Sequence, residues 1–162
     1  MFKKIIMAIL AAFMIVSAGL PTQAATSSSV GEESLTLLLD SKKMFQNGTM
    51  YMAAQPLTEK KGVSYVAIRS IAERLYSTLS YDSSAKEYVI AYGQSTLRFK
   101  AGRQTYTYNG EVQSVTGAPY IQNGSLMIPV RSLVKPYGIA LALNKAEKKL
   151  VLKWTVKPVA KF

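Results

Sequence analysis

The chain has 162 residues, of which 49% are hydrophobic and only 18% carry a charge. This length allows one domain or two small ones, and the composition argues against a largely disordered protein. The sequence contains no Cys and no His, which excludes disulfides, thiol nucleophiles, His-based triads and the usual zinc and haem ligand sets. The chain is basic, with 20 Lys and Arg against 9 Asp and Glu.

Residues 1–25 have the features of a secretory signal peptide. Two lysines form a positive start, an uncharged and mostly apolar run follows over residues 5–20, and small residues precede a cleavage point near Ala25. The alternative is a membrane anchor, but the apolar run is shorter than the about 20 residues that a span needs. We therefore expect a secreted, extracellular protein, free or associated with the cell wall, with no stable membrane span after cleavage.

An internal repeat organises the rest of the chain. When the sequence is shifted along itself so that Arg69 falls on Arg131, the segment YVAIRSI, residues 65–71, falls on MIPVRSL, residues 127–133. The match continues without a gap to Tyr92 and Trp154. The repeat predicts four segments after the signal peptide: a flexible leader (26–33), two copies of one unit (34–92 and 96–154) and a short tail (155–162).

Each copy is expected to begin with a strand and a hairpin. The run STLRFKA, residues 95–101, alternates apolar and polar side chains, and this period of two is typical of a half-buried strand. Further on, Asn47-Gly48 and Asn109-Gly110 each stand between strand-like runs. Asn-Gly supplies the positive φ angles of a type I′ turn, so both pairs predict hairpins.

A short helix and two more strands complete each copy. In the first copy, apolar residues recur at helical spacing from Ala67 to Tyr76. In the second, Pro129 suits the first helical residue, Pro136 shortens the helix and Gly138 suits its C-cap. Two strands joined by a short polar turn then follow. The sequence thus predicts an α+β protein made of two ββαββ repeats.

The two arginine motifs resemble those of the copper amine oxidase N-terminal-like domain, also called the stalk domain. The first copy reads GVSYVAIR up to Arg69, with Tyr81-Asp82 later, and the second reads GSLMIPVR up to Arg131. The resemblance covers residues 34–154 and implies a mostly antiparallel sheet curled around one short helix per repeat. It also implies an exported protein of Gram-positive bacteria. In the amine oxidases the copper and quinone chemistry lies in another domain, so the resemblance implies neither catalysis nor a cofactor here.

The two copies depart from the family pattern at several positions. Ala67 stands where the family favours Pro, and Tyr76 stands where a helix-ending Gly is usual. Asn144 replaces the usual Asp, and Pro136 lies inside the second predicted helix. These departures weaken any binding role that the family motif implies.

Arg69 and Arg131 stand where the predicted helices begin. We interpret them, together with Asp82, Asn144 and Pro129, as structural residues: the arginine stem packs on the core and its head bonds an oxygen nearby. Asp82 is the expected partner of Arg69, whereas Asn144 accepts a neutral hydrogen bond. The alternative is that each guanidinium contacts a ligand. On the structural interpretation, replacing either arginine with Ala costs about 1–3 kcal/mol if its head is buried.

The aromatic and acidic residues bear on the remaining classes of function. The sequence has 10 Tyr and 1 Trp, and Tyr106 and Tyr108, which share a strand face, are candidate glycan contacts. Aromatic residues also favour strands and cores without any ligand. The acidic residues form no motif for hydrolysis, and phosphate-loop, calcium-loop and nucleophile-elbow motifs are absent from the sequence. We predict no catalytic residue, no metal ligand and no cofactor.

The sequence therefore favours a secreted, non-catalytic structural or binding module of the bacterial cell envelope. Its basic residues suit an anionic cell-wall polymer, and surface-layer or other envelope proteins are further candidate partners. The alternative is that the scattered lysines serve solubility and protect strand edges; we expect no nucleic-acid partner. Two other functions stay open: a secreted inhibitor or regulator of an extracellular enzyme, and a glycan-binding accessory module.

Overall fold

The computed structural model describes residues 31–156 as strands, two short α-helices and one 3₁₀ helix. The strands are β1 (Gly31–Leu38), β2 (Lys43–Gln46), β3 (Thr49–Met52), β4 (Thr58–Lys60), β5 (Val63–Ala67), β6 (Thr78–Asp82), β7 (Glu87–Tyr92), β8 (Ser95–Phe99), β9 (Thr105–Tyr108), β10 (Glu111–Ser114), β11 (Tyr120–Gln122), β12 (Ser125–Pro129), β13 (Ala140–Asn144) and β14 (Lys149–Val156). The helices are α1 (Ile68–Arg74), the 3₁₀ helix (Val130–Leu133) and α2 (Val134–Tyr137). The predicted signal peptide, residues 1–25, lies outside the described residues.

The strands form three antiparallel sheets. Their orders are β13-β14-β1-β2-β3, β10-β9-β8-β7-β6 and β11-β12-β5-β4. The first and third sheets combine strands from both halves of the chain, and the second consists of five consecutive strands. The pairing of β14 with β1 places Leu152 opposite Leu35, and that of β7 with β8 places Ile90 opposite Leu97. The internal repeat aligns Ile90 with Leu152 and Leu35 with Leu97, so the two strand pairs have equivalent registers.

The structure confirms mostly antiparallel strands with short helices, consistent with an α+β fold, but it does not confirm two ββαββ repeats. Sequence reasoning missed the hairpins β4–β5 and β11–β12. Their turns, Lys61-Gly62 and Asn123-Gly124, take positive φ angles, yet the strands β4 and β11 have only three residues each. Strands this short carry too few residues to show a period of two.

The ends of the domain extend further than the sequence suggested. Strand β1 begins at Gly31, which pairs with Val156, the last residue of β14. Residues 31–33 therefore belong to a sheet and not to a flexible leader, and the ladder also includes the first two residues of the predicted tail. The backbone hydrogen bonds of an antiparallel pair continue past the apolar alternation that marks its buried part.

The two predicted Asn-Gly hairpins are present as β2–β3 and β9–β10. Both residues of each pair have positive φ, as a type I′ turn requires. The side-chain oxygen of Asn47 accepts a hydrogen bond from the Ser34 amide at 2.9 Å, and that of Asn109 accepts one from the Thr96 amide at 2.8 Å. Each Asn thus also ties its turn to the neighbouring strand.

The helices are shorter than the predicted ones. Helix α1 ends before Tyr76, whose φ of +53° takes the position expected for Gly. Pro129 is the last residue of β12, with extended backbone, so its predicted place inside the helix is wrong by one residue. Gly138, at φ +63°, caps α2 as predicted. Within residues 31–156, no helix has the length and apolar character that crossing a membrane requires.

A single main core lies between the three sheets and the helices. Its largest fully buried side chains include Phe99, Leu35, Met44, Ile68, Ile71, Leu75, Ile90, Leu97, Leu126, Ile128 and Leu133. A smaller cluster, Tyr65 with Ala67 and Met127, is separate from it, because successive side chains of a strand point to opposite faces of its sheet. Gly117, at φ +85°, lies where a Cβ would collide with the Tyr65 hydroxyl.

Candidate functional site

Arg69 and Arg131 occupy the same place in the first turn of α1 and of the 3₁₀ helix, and both are exposed. Neither guanidinium forms an ion pair or a hydrogen bond with any residue between 31 and 156. The predicted pairing of Arg69 with Asp82 is therefore wrong, and so is the expectation that the arginine heads are held by nearby oxygens. The guanidinium groups are free to meet another molecule.

Asp82 instead organises the turn between β6 and β7. Its carboxylate accepts hydrogen bonds from the Ser84 hydroxyl at 2.6 Å and from the amides of Ser84 and Ala85 at 3.1 Å. Arg98, on β8 at the far side of β7, pairs with the other carboxylate oxygen at 3.2 Å. These hydrogen bonds lower the pKa of Asp82 from 3.8 to about 2, with the largest effect from the Ser84 hydroxyl and smaller effects from the Ala85 amide and Arg98.

Asn144 has the equivalent role in the turn between β13 and β14. Its side-chain oxygen accepts a hydrogen bond from the Glu147 amide at 3.0 Å. A neutral hydrogen bond was expected here, but its donor is the turn backbone and not Arg131. Short polar side chains often accept from backbone amides two or three residues on, so Asp82 and Asn144 are turn residues.

The residue that follows each arginine is the buried polar member of the motif. Ser70 is 5% exposed, and its hydroxyl accepts a hydrogen bond from the Ala54 amide at 2.7 Å. Ser132 is 3% exposed, and its hydroxyl donates to the Pro129 carbonyl at 2.6 Å. Sequence reasoning singled out the arginines and passed over these serines, although the repeat aligns one serine with the other.

Tyr106 and Tyr108 do not form an open aromatic surface. Tyr106 is 7% exposed and stacks on Phe99, with ring centroids 5.2 Å apart. Tyr108 is half-buried and packs against the main core. This burial argues against the proposed glycan contact at Tyr106, because little of its ring is left for a ligand.

A shallow groove of about 440 Å³ lies between α1 and β6, the edge strand of the second sheet. We call it the Arg69 groove. Its lining residues are Arg69, Ala72, Glu73, Ser77, Thr78, Leu79, Ser80, Tyr81 and Tyr88. The lining combines a cation, an acid, hydroxyls and two aromatic rings.

A second groove, the Arg131 groove, consists of two adjoining cavities of about 140 and 200 Å³ that share Ser64 and Leu143. Its cationic residues are Lys61, Arg131, Lys145, Lys148 and Lys149. Its apolar residues are Leu39, Leu57, Val63, Val130, Leu141, Leu143 and Leu150. Of its lining residues only Glu59 is acidic, and Lys149 is paired with Glu147. The Arg131 groove is thus a basic rim around an apolar floor.

The two grooves correspond in part: the repeat places Arg69, Leu79, Tyr81 and Tyr88 on Arg131, Leu141, Leu143 and Leu150, and the rest of the linings differ. The repeat aligns Arg69 of the first with Arg131 of the second, whereas it aligns Tyr81 with Leu143. Sequence reasoning missed both grooves. Comparing the two copies position by position would have revealed the change from aromatic to aliphatic residues, but not that these residues surround a cavity.

Neither groove has the features of a metal or acid–base site. Between residues 31 and 156, no three side chains of the metal-binding types come together. The whole sequence lacks His, the imidazole ligand that suits copper, so the residues present do not fit a copper centre. Asp82, the carboxylate with a clearly lowered pKa, is engaged in its turn.

The family model described as copper amine oxidase N-terminal domain matches residues 44–152. This match spans the strands from β2 to β14 and includes both arginine motifs. A comparison with curated proteins found no match.

Proposed function

The chain belongs to the copper amine oxidase N-terminal domain family, and on this premise we propose that it is an exported, non-catalytic module of the cell envelope that binds anionic wall polymer. The N-terminal stalk domain of the copper amine oxidases is itself non-catalytic. Secretion rests on the predicted signal peptide, and the absence of enzyme activity rests on family membership. The choice of ligand rests on the charge of one surface.

The basic rim of the Arg131 groove is the observation that carries the proposal. Lys61, Lys145 and Lys148 are exposed beside the free guanidinium of Arg131. Cations gathered on one rim attract an extended polyanion more strongly than the same charges spread singly, because their potentials add. An anionic polymer with phosphate or carboxylate groups along its length fits this surface.

Retention on purified cell wall tests the proposal. The protein should sediment with Gram-positive wall that carries its anionic polymer and should stay in solution when that polymer has been extracted. About 0.5 M NaCl should release it, because exposed charges are then screened over only a few ångströms. Failure to bind intact wall at low salt would overturn the proposed function.

Two equivalent lysines allow a test of whether the Arg131 groove, and not the overall positive charge of the protein, is responsible for retention on the wall. Lys148 lines the Arg131 groove, whereas Lys86, at the equivalent turn of the first half, lines neither groove. Both have positive φ, +49° and +55°, so Lys148→Glu and Lys86→Glu make the same change in the same backbone setting. We expect Lys148→Glu to lower the NaCl concentration for half-release clearly more than Lys86→Glu. Equal effects would assign retention to net charge alone.

We also infer that the domain arose by duplication of a single unit, of which the two halves are copies. The inference is supported by the ungapped alignment of the two arginine motifs and their flanks. It is supported further by helical segments that begin at aligned residues, Ile68 and Val130, and by the matching registers of β7–β8 and β14–β1. A duplicated unit explains why the two grooves correspond in part, and it leaves each free to acquire its own ligand.

A further inference from the structure

The Arg69 groove carries polar and aromatic side chains whose equivalents in the second half of the chain are aliphatic. Five of its residues with hydroxyl groups or rings stand where the second half of the chain has aliphatic residues. These pairs are Ser77 and Ile139, Thr78 and Ala140, Ser80 and Ala142, Tyr81 and Leu143, and Tyr88 and Leu150. Since β13 and β14 form with the aliphatic set, the hydroxyls and rings of β6 and β7 need another explanation.

The two tyrosines form an accessible aromatic pair. Tyr81 is 54% exposed, and its ring lies 4.9 Å from that of Tyr88 at an interplanar angle of 60°. Burying an aromatic side chain normally stabilises a protein, so a ring left this open contributes little to the fold. Its face is negative and apolar, which suits the C–H groups on the face of a sugar ring.

Charged groups border the aromatic pair. Arg69 presents a planar guanidinium whose parallel N–H groups match a carboxylate. Glu73 lies one helical turn further along α1 and is also exposed. The spacing of four residues allows an ion pair, yet among the described residues these two charges are not joined. The guanidinium can therefore meet an anion while Glu73 accepts hydrogen bonds from hydroxyl groups.

The floor of the groove is held by a contact between the two halves. The hydroxyls of Ser77 and of Tyr137, on α2, lie 2.8 Å apart, and the Tyr137 ring packs on that of Tyr92 at 5.0 Å. The cavity volume of about 440 Å³ lies within the range of small-ligand sites, about 300–1,000 Å³. The site is thus partly preorganised and large enough for a sugar unit.

We propose that the Arg69 groove binds a saccharide that carries a carboxylate, with Tyr81 and Tyr88 stacking on the sugar and Arg69 pairing with the acid group. This proposal rests on the proposed binding function, which was argued from the Arg131 groove, and adds a ligand class for the Arg69 groove. An extended peptide added to the edge strand β6 would use backbone hydrogen bonds. Backbone hydrogen bonds form equally well whether Ser80 or an alanine occupies the strand. A peptide would therefore not explain the hydroxyls and rings of the groove, whereas a saccharide would.

Chemical-shift mapping with two tetrasaccharides tests this assignment. The purified, ¹⁵N-labelled protein is titrated with a hyaluronan tetrasaccharide, which carries carboxylates, and with chitotetraose, which is neutral. We expect saturable shifts in amides of residues 69–88 with both sugars and about tenfold tighter binding of the acidic one. No saturable shift with either sugar, or shifts confined to other surfaces, would overturn the proposal.

Single substitutions in and outside the Arg69 groove provide the controls. Tyr81→Leu introduces the residue found at position 143 and should weaken binding of both sugars about tenfold or more without lowering thermal stability. Arg69→Ala should abolish the preference for the acidic sugar in the shifts of residues 69–88, whereas Arg103→Ala, at an exposed arginine that lines neither groove, should leave that preference unchanged. Saturable shifts of residues 69–88 with a poly-glutamate peptide, and none there with either sugar, would assign the Arg69 groove to peptides and refute the proposal. If the protein binds neither sugar but is still retained on the wall, the saccharide site is refuted and the proposed function is not.

Discussion

Replacing Ser70 with Ala should destabilise the protein, whereas replacing its neighbour Arg69 with Ala should not. The Ser70 hydroxyl is buried and accepts the Ala54 amide at 2.7 Å. Its loss leaves a partly buried backbone N–H without its partner, which costs about 1–2 kcal/mol. Arg69 is exposed and has no partner in residues 31–156, so its truncation should change the free energy of unfolding by less than about 0.5 kcal/mol.

Urea unfolding followed by the fluorescence of Trp154 suits this comparison, because this single tryptophan is 5% exposed in the core. A lower midpoint with an unchanged slope would report lost stability alone. The second half supplies the matched pair. Ser132→Ala should cost less than Ser70→Ala, since it removes a donor from a carbonyl, and an under-satisfied carbonyl is better tolerated. A lower midpoint for Arg69→Ala together with an unchanged midpoint for Ser70→Ala would refute these structural roles.

Three further predictions concern a loop, an acidic turn and the contact between the halves. Gly117→Ala should cost about 2–4 kcal/mol, from positive φ plus collision with a buried tyrosine, while Gly124→Ala, with open space around it, should cost about 1–2 kcal/mol in urea unfolding. The pKa of Asp82 is lowered from 3.8 to about 2, so its carboxylate contributes stability above pH 3.8 that is lost as the pH falls towards 2. Thermal melts of Asp82→Asn should therefore fall less steeply across that window, and equal slopes would contradict this. Burial raises the pKa of Tyr137 from 10.0 to about 12, so stability should fall between those pH values as the unfolded state ionises first. Tyr137→Phe should weaken that alkaline loss and, at neutral pH, cost about 1 kcal/mol because the Ser77 hydroxyl keeps its bond to the Leu75 carbonyl but loses the one to Tyr137.

The elements that depend on local sequence were predictable. Asn-Gly turns fix hairpins because few other pairs adopt two positive φ angles, and Gly138 ends α2 for a related reason. The strands β6 and β7 were also recognisable, since a short polar turn separates two apolar runs. Each of these features is decided by residues close together in the chain.

The closure of the first sheet was not predictable from one sequence. Strand β14 pairs with β1 from the opposite end of the described chain, placing Leu150 opposite Leu37 and Trp154 opposite Glu33. Alternation predicts that these strands have a buried face, but it does not say which strand lies beside which. Two separate units and two halves that exchange strands have the same local patterns, and only the pairing distinguishes them.

The candidate site was predictable in its residues but not in its arrangement. The repeat identified Arg69 and Arg131, yet a charge within an apolar run suggested a buried pair with Asp82. In the structure Asp82 bonds its own turn and pairs with Arg98 on β8, which lies beyond β7 in the sheet. Which of two cations reaches a carboxylate depends on strand order, so sequence spacing could not decide it.

Helical geometry explains why both arginines are presented to solvent. Successive residues point about 100° apart in an α-helix and about 120° apart in a 3₁₀ helix. The residues on both sides of each arginine are buried: Ile68 and Ser70 around Arg69, and Val130 and Ser132 around Arg131. With its neighbours fixed inward, the arginine has to point away from the core. The apolar residues and the serines therefore serve the fold, and the guanidinium is the part that a ligand can use. Arg69 borders a pair of tyrosines, whereas Arg131 borders a rim of lysines. Because the two linings differ in this way, we expect substitutions in either groove to leave binding at the other unchanged.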